Sequence, residues 1–517
     1  MSIFNQGKAL LLVLIIACVG TAVFAQEKSP GRAISEKLIA QIDRSSFVEY
    51  SFTVSPDNRR LAYKAQRGNK QFAVVDGKEG KQYDSIYDTI DGINRGIAFS
   101  PDSKRVAYIA EQGKKWLVVV DGKEGRQYDK VFPFAFSPDS MRFAYEARMG
   151  KKRFVVVDDK EDKHYDKLGD RYELPFFSPD SKRVAYEARE GKKWFVVVDG
   201  QEGKPYDGIY DGIYSVVFSP DSQRVASQAK QGGKRFVVVD GKEGGRYDFN
   251  FALIFSPDSK RLAYQAQMGT KRLVVTDGQA GKLYDDIGDI YGKPFFSSDS
   301  KIVAYVARQG SKEFMVIDGR EGKHYDGIIE RPYFSADSKH VMYQAVQGDE
   351  RFLVVDGHEG KHYNIYDGSQ DAEVSPDGTR VACVVLVKKK WLVSVDGQKG
   401  KQYDRIISAV VFSPDSKRVA YVASTRDKQL MVVDGKEGKL YDEIFECRKF
   451  SPDSKHVVYQ AREGKRWFVV VDGQAGNQYD EIITATYERN VFFDSPDSFR
   501  YFARKGNDIY LVEEKIK

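Results

Sequence analysis

The 517-residue chain has only 3 Cys and 6 His, too few cysteines for a disulfide scaffold or a multi-cysteine zinc domain. Charge of one sign is scarce too: 81 basic residues stand against 75 acidic ones, a net +6, too mild for a dedicated nucleic-acid binder. Beyond the N-terminal run, no segment approaches the roughly 18 consecutive apolar residues that span a bilayer, so no transmembrane span is expected after signal removal. Gly-x-Ser-x-Gly is missing, and with it the nucleophile elbow of an attached peptidase domain. What is plentiful is Gly (45) and Tyr (31), in a chain 41% hydrophobic and 30% charged. That is a globular profile of many turns between aromatic-rich strands.

Lys8 precedes an apolar run from Ala9 to Phe24, and Val23-Phe24-Ala25 offers small or apolar residues before Gln26. Residues 1–25 therefore read as a secretory signal cleaved after Ala25, which places the mature chain in the periplasm or outside the cell. An alternative takes Ile15-Ile16-Ala17-Cys18 as a lipoprotein box, with the chain lipid-anchored through Cys18.

The triplet Ser-x-Asp recurs with Ser at 55, 100, 137, 178, 219, 256, 297, 335, 375, 413, 451 and 495, a period of about 40 residues that marks a repeat architecture. Ten copies read Ser-Pro-Asp; Ser298 and Ala336 replace Pro in the other two. In the first eleven copies the Asp of a Val-Asp-Gly-like motif lies 21 residues after the Ser, as in Ser55 to Asp76, and a Tyr follows 7 residues later, as in Tyr83, Tyr128, Tyr206 and Tyr479. All length variation falls between that Tyr and the next Ser, from 9 residues (Tyr128 to Ser137) to 17 (Tyr83 to Ser100).

One unit reads as four strands. Val216-Val217-Phe218 types the first, and Ser-Pro-Asp-Ser turns the chain, with Pro presetting φ and Asp accepting a backbone N–H. Arg183-Val184-Ala185-Tyr186 types the second, and a Gly-Lys-Lys hairpin leads to Phe195-Val196-Val197-Val198, the third. Asp199-Gly200 turns again, and Tyr206-Asp207 with Ile209 begins the fourth. Four antiparallel strands per 40 residues is a β-propeller blade, so the fold class expected is all-β, a propeller of twelve four-stranded blades.

The phase and turn motif resemble the WD-repeat-like propeller repeats of bacterial exported proteins, the type found in Tol-system periplasmic propellers and in the propeller domains of prolyl oligopeptidase relatives. The resemblance covers about residues 47 to 512 and implies a fold far more than a function. The chain departs from both relatives, with no room before the first blade for an extra α/β domain and nothing after the last that reads as a hydrolase. Ordinary blade numbers favour two six-bladed rings in tandem: blades 1–6 over residues 47–290 and blades 7–12 over 291–517. The last copy stops one strand short, and Phe47-Val48-Glu49-Tyr50 or the segment before it, 26–46, is expected to close a ring and protect its edge.

His358-Glu359-Gly360-Lys361-His362 matches H-E-x-x-H, but that zinc chemistry needs a helix, and here the motif fills the repeat's turn slot. Asp285-Asp286-Ile287-Gly288-Asp289 lacks the spacing of a calcium loop. Cys383 stands where its repeat has Tyr, and Cys447 lies in a variable connection; both read as ordinary unpaired residues. No catalytic residue, metal ligand or cofactor site is therefore expected.

The sharper signal is Trp. Trp116, Trp194, Trp391 and Trp467 each lie 16 residues after their Ser, in a slot held elsewhere by Gln71, Arg153, Arg235, Arg272, Glu313, Arg351 and Gln429. Phe or Leu always follows, so alternation puts the Phe or Leu inside and the Trp at a wetter edge. Cations precede each Trp, including Lys115, Lys193, Lys390 and Arg466. This hairpin lies at the same blade end as the variable connections. The face is a candidate docking surface for an envelope protein or an anionic glycan; the bland alternative has Trp covering Lys stems and a neighbouring blade. The expected function is an exported, non-catalytic binding or scaffolding propeller of the cell envelope. The alternatives are a carbohydrate-binding propeller, or a hydrolase or lyase with a central-channel site.

Overall fold

The computed structural model describes residues 31–49, 51–87, 96–169, 175–209, 216–288, 293–335, 337–360, 362–364, 373–387, 389–483 and 491–517. Its elements are all β-strands, arranged in twelve small antiparallel sheets. Blade 4 is representative: a first strand in two pieces, Lys167–Leu168 and Phe176–Phe177, then Val184–Glu190, Lys193–Val198 and Gln201–Glu202, paired in that order. The second strand is buried over its first five residues, because neighbouring blades cover both faces of each sheet, and this explains the near-continuous apolar runs.

Two features of the unit differ from the sequence expectation. The fourth strand is the short Gln201–Glu202 piece, continued by a bridge from Tyr206 to Trp194. Asp207 already bonds to the next blade, donating its N–H to the Lys230 carbonyl at 3.0 Å. Between blades 4 and 5 the chain therefore passes without a connecting loop, and the variable stretch interrupts the first strand instead. Gly208–Ile209 and Val216–Phe218 pair with the same second strand on either side of the break. The joint is this short because each first strand crosses the preceding sheet diagonally, from that sheet's third strand towards its first. In blade 2, Ser85–Ile86 packs on Lys70–Val75, and Ile97–Phe99 on Thr53–Val54.

The turns carry the bonds between blades. Ser181 sits at φ 66°, a left-handed conformation uncommon for Ser, and its hydroxyl there accepts the Asp139 N–H of the preceding blade at 2.9 Å. Arg183 donates from Nε to Asp199 at 3.0 Å within its blade, and from Nη1 to the carbonyls of Ser222 and Gln223 in the next, at 3.2 and 3.1 Å. Asp199 and Gly200 form the two-residue turn between the third and fourth strands with φ of 54° and 76°, the pairing that Asp-Gly favours.

Twelve blades make one ring, and the expected pair of six-bladed rings is corrected accordingly. The supposed seam between blades 6 and 7 carries the standard bonds: Asp258 N–H to Ser300 Oγ at 2.9 Å, and Arg261 Nη1 to the carbonyls of Ser300 and Lys301 at 3.2 and 2.5 Å. Blade 12 meets blade 1, where Asn58 Nδ2 donates to the Arg500 carbonyl at 3.2 Å and Arg500 Nε to the Asp57 carbonyl at 2.7 Å. The outermost strand of blade 12 is Arg32–Gln41, laid antiparallel on Asp508–Ile516. Of the two closing segments considered, the one before Phe47 therefore supplies the strand.

The arginine position is held by Ile302, His340 and His456 in blades 7, 8 and 11, and the seam after blade 8 departs further from the repeat. Between blades 8 and 9, His340 stands in the arginine position and bonds Asp356 at 2.6 Å. Gly378 stands in the left-handed Ser position and Cys383 in the Tyr position. Met342 of blade 8 packs on Gly378.

Candidate functional site

The structure brings the four tryptophans to one blade end. Each is half-buried and lies over the seam with the next blade. Trp194 packs on the cluster of Tyr206, Ile209 and Phe236, Trp391 on that of Tyr403 and Ile406, and Trp467 on that of Tyr479 and Ile482. Lys130 of blade 3 holds its ammonium 3.7 Å from the centre of the Trp116 ring, with Tyr87 edge-on at 5.9 Å. Other residues in the slot do the same task with polar groups. Gln71 and Gln429 accept the N–H of Ile86 and Ile444 at 2.8 and 2.7 Å, Glu313 accepts that of Ile328 at 2.8 Å, and Arg272 pairs with Asp286 at 2.7 Å. The slot is thus a latch onto the first strand of the next blade.

The cations beside the tryptophans are paired as well. Lys115 meets Asp129 at 2.5 Å and Lys193 meets Asp207 at 2.7 Å; Lys390 meets Asp404 and Arg466 meets Asp480. These aspartates follow the repeat Tyr and also accept a hairpin N–H of the next blade, as Asp207 does from Gly232 at 3.0 Å. The Lys193 bond first and the Gly232 N–H second hold the Asp207 carboxyl below the usual range.

A second feature was not singled out in the sequence. Nine residues after each Ser, the middle of the second strand faces the next blade, and there the chain places Lys64, Glu146, Glu187, Gln228, Gln265, Gln344 and Gln460, each at most 8% exposed. Gln265 shows the geometry, donating from Nε2 to the Ile287 carbonyl of blade 7 at 3.2 Å. Glu146 pairs with Arg153 at 3.0 Å, yet burial pushes its carboxyl up to about 7. In blade 6 the facing apolar slot of the first strand holds Asn250, fully buried. The signal was present as a polar residue inside Val-Ala-Tyr-x-Ala, which simple alternation reads as solvent-facing.

The remaining candidates fall where the repeat puts them. His358–Glu359 is the outer strand of blade 8, and His362 stacks on Phe352 at 4.0 Å while bonding Glu350 at 2.8 Å. Asp285 pairs with Lys271, and Asp286 with Arg272 and Arg308; Asp289 lies outside the described residues, as does Cys18. Burial pushes the Cys383 thiol up to about 11. Cys447 lies within the first strand of blade 11, Glu443–Phe450, not in a connection. Among the described residues, no helix is long and apolar enough to cross a membrane.

No family model and no curated protein sequence matches the chain. Among solved structures it resembles one described as the crystal structure of the eukaryotic initiation factor, at 13% identity and a TM-score of 0.34, over 67% of this chain and 96% of that one. A likeness of that size carries no argument. The class is defined by the blades themselves: the protein is a twelve-bladed β-propeller.

Proposed function

We propose that the protein is an exported, non-catalytic propeller that binds or scaffolds partner proteins in the cell envelope, of the WD-repeat-like kind its repeat resembles. The observation that carries this reading is a division of labour within the repeat. The turn Ser, Asp and Arg and the aspartate after the repeat Tyr are engaged in bonds between and within blades. The blades differ from one another chiefly where the first strand is interrupted. A constant frame carrying variable segments is the arrangement by which repeat proteins present binding surfaces. Export rests on the apolar run Ala9 to Phe24 ahead of Ala25. A glycan reading has less support, because Lys130 already covers the indole of Trp116.

Crosslinking pull-down from the native envelope tests the reading. The mature protein is compared with a variant in which the longer interruptions are cut to the length found between Tyr128 and Ser137. The expected result is capture of a defined protein by the parent and its loss in the variant; undiminished capture would sink the assignment to these segments.

A further inference from the structure

Nine of the twelve blades place a Tyr eight residues after the turn Ser, and each of those rings is at most 5% exposed. The ring lies between its own sheet and the outer half of the preceding one. Tyr108 meets Tyr83 edge-on at 6.2 Å, and its hydroxyl lies 3.4 Å from where a Cβ on Gly80 would stand. Gly125, Gly244, Gly281 and Gly400 face the hydroxyls of Tyr145, Tyr264, Tyr305 and Tyr421 in the same way, at 3.6–3.9 Å. The repeat thus contains a phenol-shaped space, floored by glycine and walled by a second Tyr.

Blade 5 has Ser227 in that position. The matching glycine, Gly203, faces only the Val196 carbonyl of its own blade, and Val196 is half-buried, whereas its counterparts Val155 and Val237 are 1% exposed. Between blades 4 and 5 a cavity of about 600 Å³ opens, walled by Val196, Val198, Gly203, Tyr206, Ser227 and Val238. An apolar cavity of about 150 Å³ takes a benzene ring, and ligand pockets run from about 300 to 1,000 Å³, so this one has room for a ring and a tail. Its rim is charged but internally paired, Arg183 with Asp199 at 3.0 Å and Glu202 with Lys163 at 2.6 Å. A neutral hydrogen-bonding tail meets that rim without breaking an ion pair, whereas a charged one would leave an ion unpaired.

We infer that the seam between blades 4 and 5 is a binding site for a phenol ring bearing a neutral polar tail, seated where tyrosine sits in nine other blades. The inference is independent of the docking reading above, and its test needs no envelope partner. Ligand-detected NMR and thermal shift on the mature chain would use N-acetyl-tyrosinamide, p-cresol and N-acetyl-leucinamide. The tyrosine amide is expected to bind at least tenfold more tightly than the leucine amide. p-Cresol separates the sources: affinity equal to the tyrosine amide assigns the site to a small free phenol, and affinity tenfold lower assigns it to a tyrosine in a polypeptide. Ser227→Tyr restores the repeat, and is expected to abolish binding of both phenols and to raise the melting temperature; Ser227→Phe is the second variant. Equal binding of the leucine amide, no binding of either phenol to the parent, or binding retained in the folded variants would overturn the inference.

Discussion

Arg32 and Glu514, from opposite ends of the described chain, form a salt bridge of 3.1 Å with side chains 5% and 0% exposed. The Tyr501 hydroxyl donates to the same carboxylate at 2.6 Å, and burial raises the Glu514 pKa. Breaking a buried pair by removing one partner costs about 3–5 kcal/mol, so Arg32→Met should lower the melting temperature clearly. Arg67→Met, which breaks an exposed pair with Glu79, should change it little. Deleting residues 26–50 removes the whole closing strand and should destabilise the mature protein more than either; calorimetry showing an unchanged melting temperature would refute the closure.

The seam between blades 8 and 9 should be where the ring yields first. His340→Arg is expected to add bonds from a charged donor to the carbonyls of residues 378 and 379, as Arg380 makes to Ser416 and Lys417. Such bonds are worth about 1.5–3 kcal/mol each. Hydrogen exchange on the parent should show Val341–Gln347 and Val381–Val387 opening before the matching strands of blades 3 and 4. Uniform protection around the ring would count against a weak seam.

If the tryptophans latch blades together, each Trp→Ala should cost about 1–3 kcal/mol through lost packing and lost cation–ring contact, with Trp116→Phe retaining most of the stability. Denaturant titration decides this. A set of four alanine variants with parental stability but weakened partner capture would restore the docking role instead.

Glu146 makes stability depend on pH in a stated direction. Its folded pKa, about 7, lies above the ordinary 4.5, so the folded protein holds an extra proton between those values. The contribution is fully present below pH 4.5 and is lost as pH rises through 7. Glu146→Gln should therefore flatten the decline in melting temperature between pH 5 and 8, an effect of a few kcal/mol at most. An unaltered pH profile would show that Arg153 keeps the carboxylate charged.

Fold and repeat were legible because Ser-x-Asp, Asp-Gly and the apolar runs are local signals with fixed spacing. The ring count was not, since Arg261 reaches Ser300 as Arg183 reaches Ser222, and nothing in one seam records how many seams there are. Side-chain alternation separates core from water only when one face of a sheet is wet. Here both faces are covered, so Trp194 and the polar Gln228 in the middle of the second strand both lie at seams between blades. Ser227 was visible as a departure from the repeat; what it opens depends on the facing blade, which one repeat does not describe.

The direct joint from one blade to the next has an evolutionary corollary. Because Tyr206 ends one blade and Asp207 begins the following one, the chain can be cut and rejoined at any such dipeptide, and a whole unit gained or lost leaves two matching seams. In a ring of twelve, adding or removing one unit changes the angle at each seam by only about 3°, well inside what stacked repeats absorb. The geometry therefore allows the ring to change in steps of one blade, with the buried pair of Arg32 and Glu514 holding the two ends together.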